Sequence, residues 1–304
     1  MRRRFAPPFR FARVVTWLGI CCALAWPQET AAQEAGVRVE WQPDRPRQGS
    51  LVQLWVAPDA AGRASPAVFA ELAGEPLHFE PHGDGSLHAL GAVPLGAADS
   101  VVLRVLRIRG GIVETSRTAI PVVTRRAPGE RLRAAPRFTP PPDSALRARI
   151  SREWLLARQV YRRTHRMPRL WHQPFLRPRD SRVTSPFGAG REVNGVWRST
   201  HSGLDLAGGR GTPVRAANRG VVALIGDFFY GGTCIYLQHG AGLVTTYLHL
   251  SRATVARGDT VERGQIIGRV GATGRVTGPH LHWGAHYGQV AFDPADLLAL
   301  PAPD

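Results

Sequence analysis

Two histidines lie one residue apart in the stretch GPHLHWGAHYG, residues 278–288. Side chains two positions apart on a β-strand project from the same face, so an extended PHLHW segment presents His280 and His282 together. Two charged imidazoles in that arrangement would repel each other. The pair is better explained if one histidine binds a metal ion and the other faces water or a substrate. His286 has the same parity but lies further along the strand, and we do not assign it to the site.

A second group of metal-binding side chain types lies upstream, in RSTHSGLDLAGG, residues 198–209. Its glycines favour a strand with a tight turn over a helix, and such a loop can bring His201 and Asp205 to one point. With one later histidine they provide two imidazoles and one carboxylate. This is the ligand count of a catalytic zinc site, which leaves a fourth position open for water. The donor set suits Zn²⁺ over copper or iron, and leaves Mn²⁺ and Co²⁺ as alternatives.

The segment TTYLHLS contributes a third candidate, His249, near the end of an otherwise apolar strand. Taken alone, it would be an edge histidine whose ring nitrogens bond to the backbone. Beside a metal site it is a candidate for orienting water or stabilising an oxyanion. His239, in QHGAG, coincides with a turn signal, and we assign it no role.

These three segments, His201-x-x-x-Asp205, Tyr247-Leu-His-Leu250 and Gly278-Pro-His-Leu-His282, together resemble the LytM/lysostaphin-type zinc metallopeptidases of the M23 family, also called peptidoglycan DD-metalloendopeptidases. The resemblance covers about residues 181–298. It implies that His201, Asp205 and His282 bind one Zn²⁺ per chain and that His249 and His280 are catalytic. The division of labour between those two histidines stays open.

The resemblance also implies a reaction, which is the hydrolysis of peptide cross-links in peptidoglycan. We expect a D-alanyl cross-link as the substrate, with a glycyl bridge as the alternative. Some members of this family have lost zinc ligands and only activate cell-wall amidases. The complete set of five polar residues favours an enzyme, while a non-catalytic activator and a wall-binding module stay as alternative functions.

The elements that must position these residues are mostly β. Residues 181–300 contain short apolar runs that end at glycine-rich turns, which predicts an antiparallel β-sheet peptidase domain. Residues 33–125 show strand alternation and a Gly110-Gly111 hairpin signal, which predicts a small, Ig-like β-sandwich. We find no group of chemically active residues in this N-terminal domain.

An Arg/Pro-rich linker, residues 126–180, with one helix joins the two domains. Asp143 follows three prolines and is a candidate N-cap. A stripe of residues at helical spacing predicts a face that packs on one of the domains, and its members are Leu146, Ile150, Trp154, Ala157 and Tyr161. A weaker hypothesis is that this linker covers the active-site groove as an autoinhibitory segment.

Residues 1–32 have the basic, apolar and small-residue order of a secretory signal peptide, and an uncleaved N-terminal anchor is the alternative. Cleavage would remove Cys21 and Cys22, leaving Cys234 without a disulfide partner. It would also remove five arginines and one glutamate, so the net charge would fall from +16 to +12. Such a basic exported chain suits an anionic wall polymer in the periplasm or cell envelope. We expect no nucleic-acid partner and no stable membrane span after cleavage.

Overall fold

Antiparallel β-sheets dominate the fold, which confirms the predicted mostly β class. The structure is a computed structural model, and it describes residues 39–57, 67–109, 112–139, 141–195 and 197–303. The predicted signal peptide and the two glycines of the predicted hairpin turn lie outside these residues. The strands on either side of that turn pair antiparallel, with Ser100 opposite Pro121 and Arg109 opposite Ile112.

The N-terminal region forms two four-stranded sheets within the described residues, in the orders β1-β2-β6-β5 and β4-β3-β7-β8. The strands are β1 Val39–Gln42, β2 Leu51–Val56, β3 Val68–Leu72, β4 Glu75–Pro76, β5 Glu80–Pro81, β6 Leu87–Ala92, β7 Ser100–Arg109 and β8 Ile112–Pro121. The two sheets pack tightly, since a Cβ atom on Gly91 would lie 2.9 Å from the Leu72 side chain. Leu54 and Leu103 are completely buried in the same core.

The linker contains strand β9 Gly129–Leu132, a 3-10 turn at Pro136–Phe138 and helix α1 Ser144–Thr164. The Asp143 carboxylate accepts a hydrogen bond from the Leu146 backbone nitrogen (2.8 Å), as an N-cap residue does. The linker then runs along the C-terminal domain to residue 182, and Leu170 donates a backbone hydrogen bond to His239 (2.8 Å).

The packing face predicted for α1 is partly wrong. Ala157 and Tyr161 are buried, whereas Trp154 is 65% exposed. The buried side chains lie in the second half of the helix, where Val160 and its neighbours pack on a sheet of the C-terminal domain. The first half of the helix buries little apolar surface. A periodic pattern marks which residues share a face, but it does not show how far the supporting surface extends.

The C-terminal domain is built on a ten-stranded sheet in the described residues, with β10-β13-β20-β17-β16-β15-β18 as its main path. Its strands are β10 Val183–Ser185, β13 Gly203–Ala207, β14 Pro213–Arg215, β15 Gly220–Phe228, β16 Gly232–Gly240, β17 Leu243–Ala253, β18 Thr260–Val261, β19 Ile266–Val270, β20 His280–Tyr287 and β21 Val290–Phe292. A smaller sheet contains β11 Gly190–Val193 and β12 Trp197–Thr200. Linker strand β9 extends this smaller sheet by pairing parallel to β11.

Helix α1 covers one end of the sheet face that also carries the paired histidines. On β17 and β20, Val244 lies opposite His286 and Leu248 lies opposite His282. The Tyr161 ring stacks on the His286 ring at a centroid distance of 4.2 Å. His286 is therefore a packing residue beneath the helix.

The N-terminal sheets also contact the C-terminal domain directly. The Leu51 backbone nitrogen donates to an Asp296 carboxylate oxygen (2.9 Å), and Arg125 forms an ion pair with Asp293 (3.1 Å). One apolar core runs through both regions and includes Leu54 and Trp283. No helix in the described ranges is long and apolar enough to cross a membrane.

We predict that the contact of the linker with β16 stabilises the fold. Gly240 has a positive φ of +79°, and a Cβ atom there would lie 1.8 Å from the Pro168 carbonyl oxygen. Gly240→Ala should therefore lower the free energy of unfolding by roughly 3 kcal/mol or more, because it combines backbone strain with a clash. Urea denaturation of the full chain measures this loss.

Gly258→Ala is the matched control for this prediction. Gly258 also has a positive φ, of +95°, but a Cβ atom there meets nothing within 4 Å. Its replacement should lower the free energy of unfolding by only about 1 kcal/mol, because it introduces backbone strain without a clash. Equal losses in the two variants would show that the linker contact contributes nothing.

Candidate metal centre

Asp205 and His282 lie directly opposite each other on the paired strands β13 and β20. The Asp205 Oδ1 atom is 3.0 Å from His282 Nδ1. His201, just before β13, completes the group, since its Nε2 atom is 3.0 Å from Asp205 Oδ1 and 2.9 Å from His282 Nδ1. All three side chains are buried. The structure thus brings together the three residues that the sequence predicted as metal ligands.

Gly203 makes this close approach possible. A Cβ atom at Gly203 would lie 2.6 Å from His282 Nε2 and 2.5 Å from the Trp283 carbonyl oxygen. The chain between His201 and Asp205 therefore has to lie flat against β20. The glycine that suggested a turn in the sequence serves here to make room for the imidazole ring.

Hydrogen bonds set which nitrogen of His201 faces the cluster. The His201 Nδ1 atom lies 2.8 Å from the Pro186 carbonyl oxygen, so Nδ1 faces the backbone and Nε2 faces Asp205 and His282. Burial lowers the pKa of His282 to about 4, so this imidazole is neutral at pH 7.

The Asp205 carboxylate is held in its charged form. Burial alone would raise its pKa, but hydrogen bonds from His201 and His282 outweigh that effect and place the pKa well below its usual range. The cluster thus combines one negative charge with two imidazole nitrogens.

His249 and His280 lie beside the cluster, with their ring centroids 5.0 Å apart. The Nδ1–H of His249 donates to the Thr273 carbonyl oxygen (2.9 Å) and that of His280 to the Gly278 carbonyl oxygen (2.8 Å). Each Nε2 atom is then left as a proton acceptor. The His280 Nε2 atom lies 3.6 Å from Asp205 Oδ1.

The backbone at His249 is strained, because its φ is +64° in a residue that is not glycine. Such conformations cost free energy and concentrate at functional sites. The hydrogen bond from the His249 backbone nitrogen to the Gly231 carbonyl oxygen (2.9 Å) holds this conformation. Burial lowers the pKa of His249 well below its ordinary value, and the nearby His280 adds to that effect.

The three donor atoms fit a small divalent cation. His201 Nε2, Asp205 Oδ1 and His282 Nδ1 lie 2.9–3.0 Å from one another. Ligands bound at about 2.0–2.1 Å in tetrahedral geometry stand about 3.3 Å apart, so the donor triangle needs to open by only a few tenths of an ångström. Within the described residues, this is the group whose donor atoms could hold a metal ion.

A network behind Asp205 was missed by the sequence analysis. The Arg191 guanidinium donates from Nη2 to Asp205 Oδ2 (2.5 Å) and to the Ser185 hydroxyl (2.8 Å). Its Nε atom donates to Glu130 Oε2 (3.2 Å), and the Ser185 hydroxyl donates to the same oxygen (2.9 Å). Glu130 belongs to linker strand β9. A carboxylate from the linker thus supports the arginine that orients a candidate ligand.

The linker is held in this position by Asn194. Its side-chain amide accepts from the Ala134 nitrogen (2.9 Å) and donates to the Ala134 oxygen (3.1 Å) and the Thr139 hydroxyl (2.7 Å). The parallel pairing of β9 with β11 links residues 61 positions apart, such as Gly129 and Gly190, and neither segment carries a motif for it. The only available signal in the sequence is that Arg191 closely follows the segment TSPFG, residues 184–188, at the start of the C-terminal domain.

His239 has a purely structural position. It is completely buried within β16 rather than in a turn, as its sequence context had suggested. Its two ring nitrogens bond to the Arg219 carbonyl oxygen and the Thr245 hydroxyl, each at 2.7 Å. No nitrogen is left for a ligand.

The donor cluster opens into a cavity of about 470 Å³. Its walls include His249, His280, Tyr230 and Arg275 from the C-terminal domain, and Leu132 from the linker. The site therefore combines buried ligands with space for an extended substrate. The linker forms part of the cavity wall, and the hypothesis that it blocks the groove stays untested.

Comparison with known proteins identifies the domain that carries this cluster. The profile of Peptidase family M23 matches residues 199–294. DD-carboxypeptidase/endopeptidase Mpg from Neisseria meningitidis serogroup B is 41% identical over 125 residues, which are 41% of this chain and 28% of Mpg. Peptidoglycan DD-endopeptidase ShyA from Vibrio cholerae is 49% identical over 83 residues, which are 27% of this chain and 19% of ShyA.

One solved structure is similar well beyond this segment. A crystal structure of a peptidase M23 from Pseudomonas aeruginosa has a TM-score of 0.62 and 27% identity, over 84% of this chain and 95% of that one. The chain spans less than a third of the curated relatives Mpg and ShyA. All three segments of the sequence motif lie inside the matched residues 199–294, so this C-terminal part of the chain is a peptidase family M23 domain.

Proposed function

We propose that this chain is a zinc-dependent endopeptidase that hydrolyses peptide cross-links of peptidoglycan in the cell envelope. The observation that carries the proposal is the convergence of the His201, Asp205 and His282 donor atoms beside His249 and His280 in one cavity. The relatives named as peptidoglycan DD-endopeptidases support the substrate class. The high positive charge of the sequence supports binding to an anionic wall polymer.

In this proposal the residues divide into ligands and proton carriers. His201, Asp205 and His282 would hold the zinc ion, which supplies Lewis-acid polarisation of the scissile carbonyl. His249 and His280 each keep a free Nε2 atom, because their Nδ1–H groups are fixed to backbone carbonyls. One Nε2 can accept a proton from the attacking water and pass it to the leaving amine. The other histidine, once protonated, can donate a hydrogen bond to the developing oxyanion.

The decisive experiment is digestion of purified sacculi by the full chain loaded with zinc. Released fragments are identified by mass spectrometry, with a parallel reaction that contains a chelator. Chelator-sensitive release of cross-link fragments is the expected result and identifies the bond. Activation of a separate amidase without any hydrolysis would instead support the activator function.

Loss of a ligand should abolish zinc binding. We predict that His201→Ala, Asp205→Ala and His282→Ala each reduce the bound zinc from one ion per chain to a trace, since each removes one of three protein donors. Zinc content after dialysis measures the effect. His172→Ala is the matched control because His172 is exposed and does not line the cavity. Full zinc occupancy in a ligand variant would refute the assignment of that residue.

Loss of a proton carrier should leave zinc in place but slow catalysis. We predict that His280→Ala and His249→Asn each lower kcat by a factor on the order of 10² to 10⁴ while retaining the metal. Asparagine is chosen at residue 249 because it tolerates the positive φ found there. Unchanged kcat in either variant would exclude that histidine from catalysis.

The linker carboxylate should contribute to metal affinity. We predict that Glu130→Gln weakens zinc binding by about 10-fold, because Arg191 then loses the partner that fixes it on Asp205. Competition with a chromogenic chelator measures the change.

Glu192→Gln is the control for the linker prediction. It makes the same change next to Arg191 in sequence, but among the described side chains Glu192 pairs at 3.9 Å with the exposed Arg131. Equal effects of the two substitutions on zinc affinity would show that general loss of negative charge, rather than support of Arg191, is responsible.

A further inference from the structure

We infer that Arg275 binds a free carboxylate of the peptide substrate next to the scissile bond. This inference rests on the proposed function and specifies the substrate class of the same site. Arg275 lines the cavity that contains His201 and His280, and it belongs to the loop between β19 and β20 that leads directly into His280.

The Arg275 side chain is held in place before any substrate arrives. Its guanidinium lies over the Tyr230 ring, 4.6 Å from the centroid. The Arg275 backbone nitrogen also donates to the Tyr230 carbonyl oxygen (2.9 Å). The Tyr230 ring packs edge-on against Phe229 at 4.8 Å, and Phe138 of the linker lies near both rings. Stacking on an aromatic ring orients a guanidinium while leaving its N–H edge available for a planar anion.

The loop that carries Arg275 is also fixed. Gly274 has a φ of +73°, and a Cβ atom there would lie 2.4 Å from the Gly232 nitrogen. The Thr273 hydroxyl donates to the Leu250 carbonyl oxygen (2.8 Å) and accepts from the Thr233 nitrogen (2.9 Å). These contacts pin the loop against β16 and β17, so Arg275 keeps a constant position relative to His249.

Arg275 has no acidic partner within the part of the chain that the structure describes. No Asp or Glu oxygen there lies within 4.0 Å of its guanidinium, although the side chain is partly buried. Burial lowers the pKa of Arg275, Tyr230 opposes that effect and the nearby Arg191 charge adds to it. The two carboxylates in the cavity wall, Glu130 and Asp205, are already bonded to Arg191. Beside the exposed Arg182, the cavity wall therefore has one partly buried cation, Arg275, that is ready for an anionic group.

A carboxylate is the ligand that this arrangement fits best. A guanidinium can donate two parallel hydrogen bonds to the two oxygens of a carboxylate, and such charged pairs are stronger than neutral ones. Within a cavity that cleaves peptides, a carboxylate can come from an α-carboxyl group next to the bond to be cleaved. An amide at that position has a single, uncharged oxygen. It therefore cannot accept the two charged hydrogen bonds that a carboxylate accepts from the guanidinium.

The test compares two synthetic peptides that contain the cleaved cross-link, one with that carboxylate free and one with it amidated. We expect the unmodified chain to cleave the free acid with a kcat/KM about 10-fold to 100-fold higher than the amide. Arg275→Gln should lower kcat/KM for the acid to that for the amide and leave the amide rate within about two-fold. The matched control Arg182→Gln removes an exposed cation from the same cavity wall and should keep the preference.

Other outcomes separate this inference from the proposed function. Equal cleavage of acid and amide by the unmodified chain would overturn the carboxylate site and leave the endopeptidase standing. Cleavage of neither peptide, together with intact sacculi, would overturn both. The melting temperature and zinc content of Arg275→Gln should match those of the unmodified chain, and a fall in either would show a structural role instead.

Discussion

The antiparallel pairing of β13 with β20 is the constraint on which the site depends. It places Asp205 opposite His282, and a shift of one residue would turn one of the two side chains to the other face of the sheet. The register is secured by residues on the opposite face, because Leu204, Leu206, Leu281 and Trp283 are buried in the core. The apolar alternation of these strands therefore positions the polar residues between them. The same strand register therefore both buries the core residues and brings the donor atoms together.

The linker is a second layer of support for the same cluster. Strand β9 contributes Glu130 to Arg191, and Arg191 in turn holds the Asp205 oxygen that faces away from the histidines. A partly buried chain of alternating charges is expensive unless every member is satisfied. Here Ser185 provides the additional hydrogen bond to both Arg191 and Glu130. The segment between the two β regions thus behaves as part of the site, in addition to connecting them.

Two parts of the site could be predicted from local geometry, whereas their convergence and the position of His249 beside them were implied only by the family resemblance. His280 and His282 share a strand face by parity alone, and His201 and Asp205 are separated by a short glycine-containing segment. The mostly β class followed from alternation and turn residues for the same reason. Arg191 and Glu130 could not be predicted, since a parallel pairing between distant segments depends on how the linker packs. The exposed position of Trp154 was missed because the extent of the sheet beneath α1 is a tertiary property.

The burial of the histidines and the charge of the cavity act together. Removing imidazoles from water lowers the pKa values of His249 and His282, so both stay neutral and available as lone-pair donors at neutral pH. The same burial would raise the pKa of Asp205, were it not for the hydrogen bonds it accepts. Arg191 adds a positive charge on the far side of that carboxylate. One carboxylate, paired with Arg191 on one side and lying beside imidazole nitrogens on the other, leaves room for a divalent cation. Arg275 is then a partly buried cation that no described carboxylate of the cavity pairs with, which is why we assign a negative charge to the substrate.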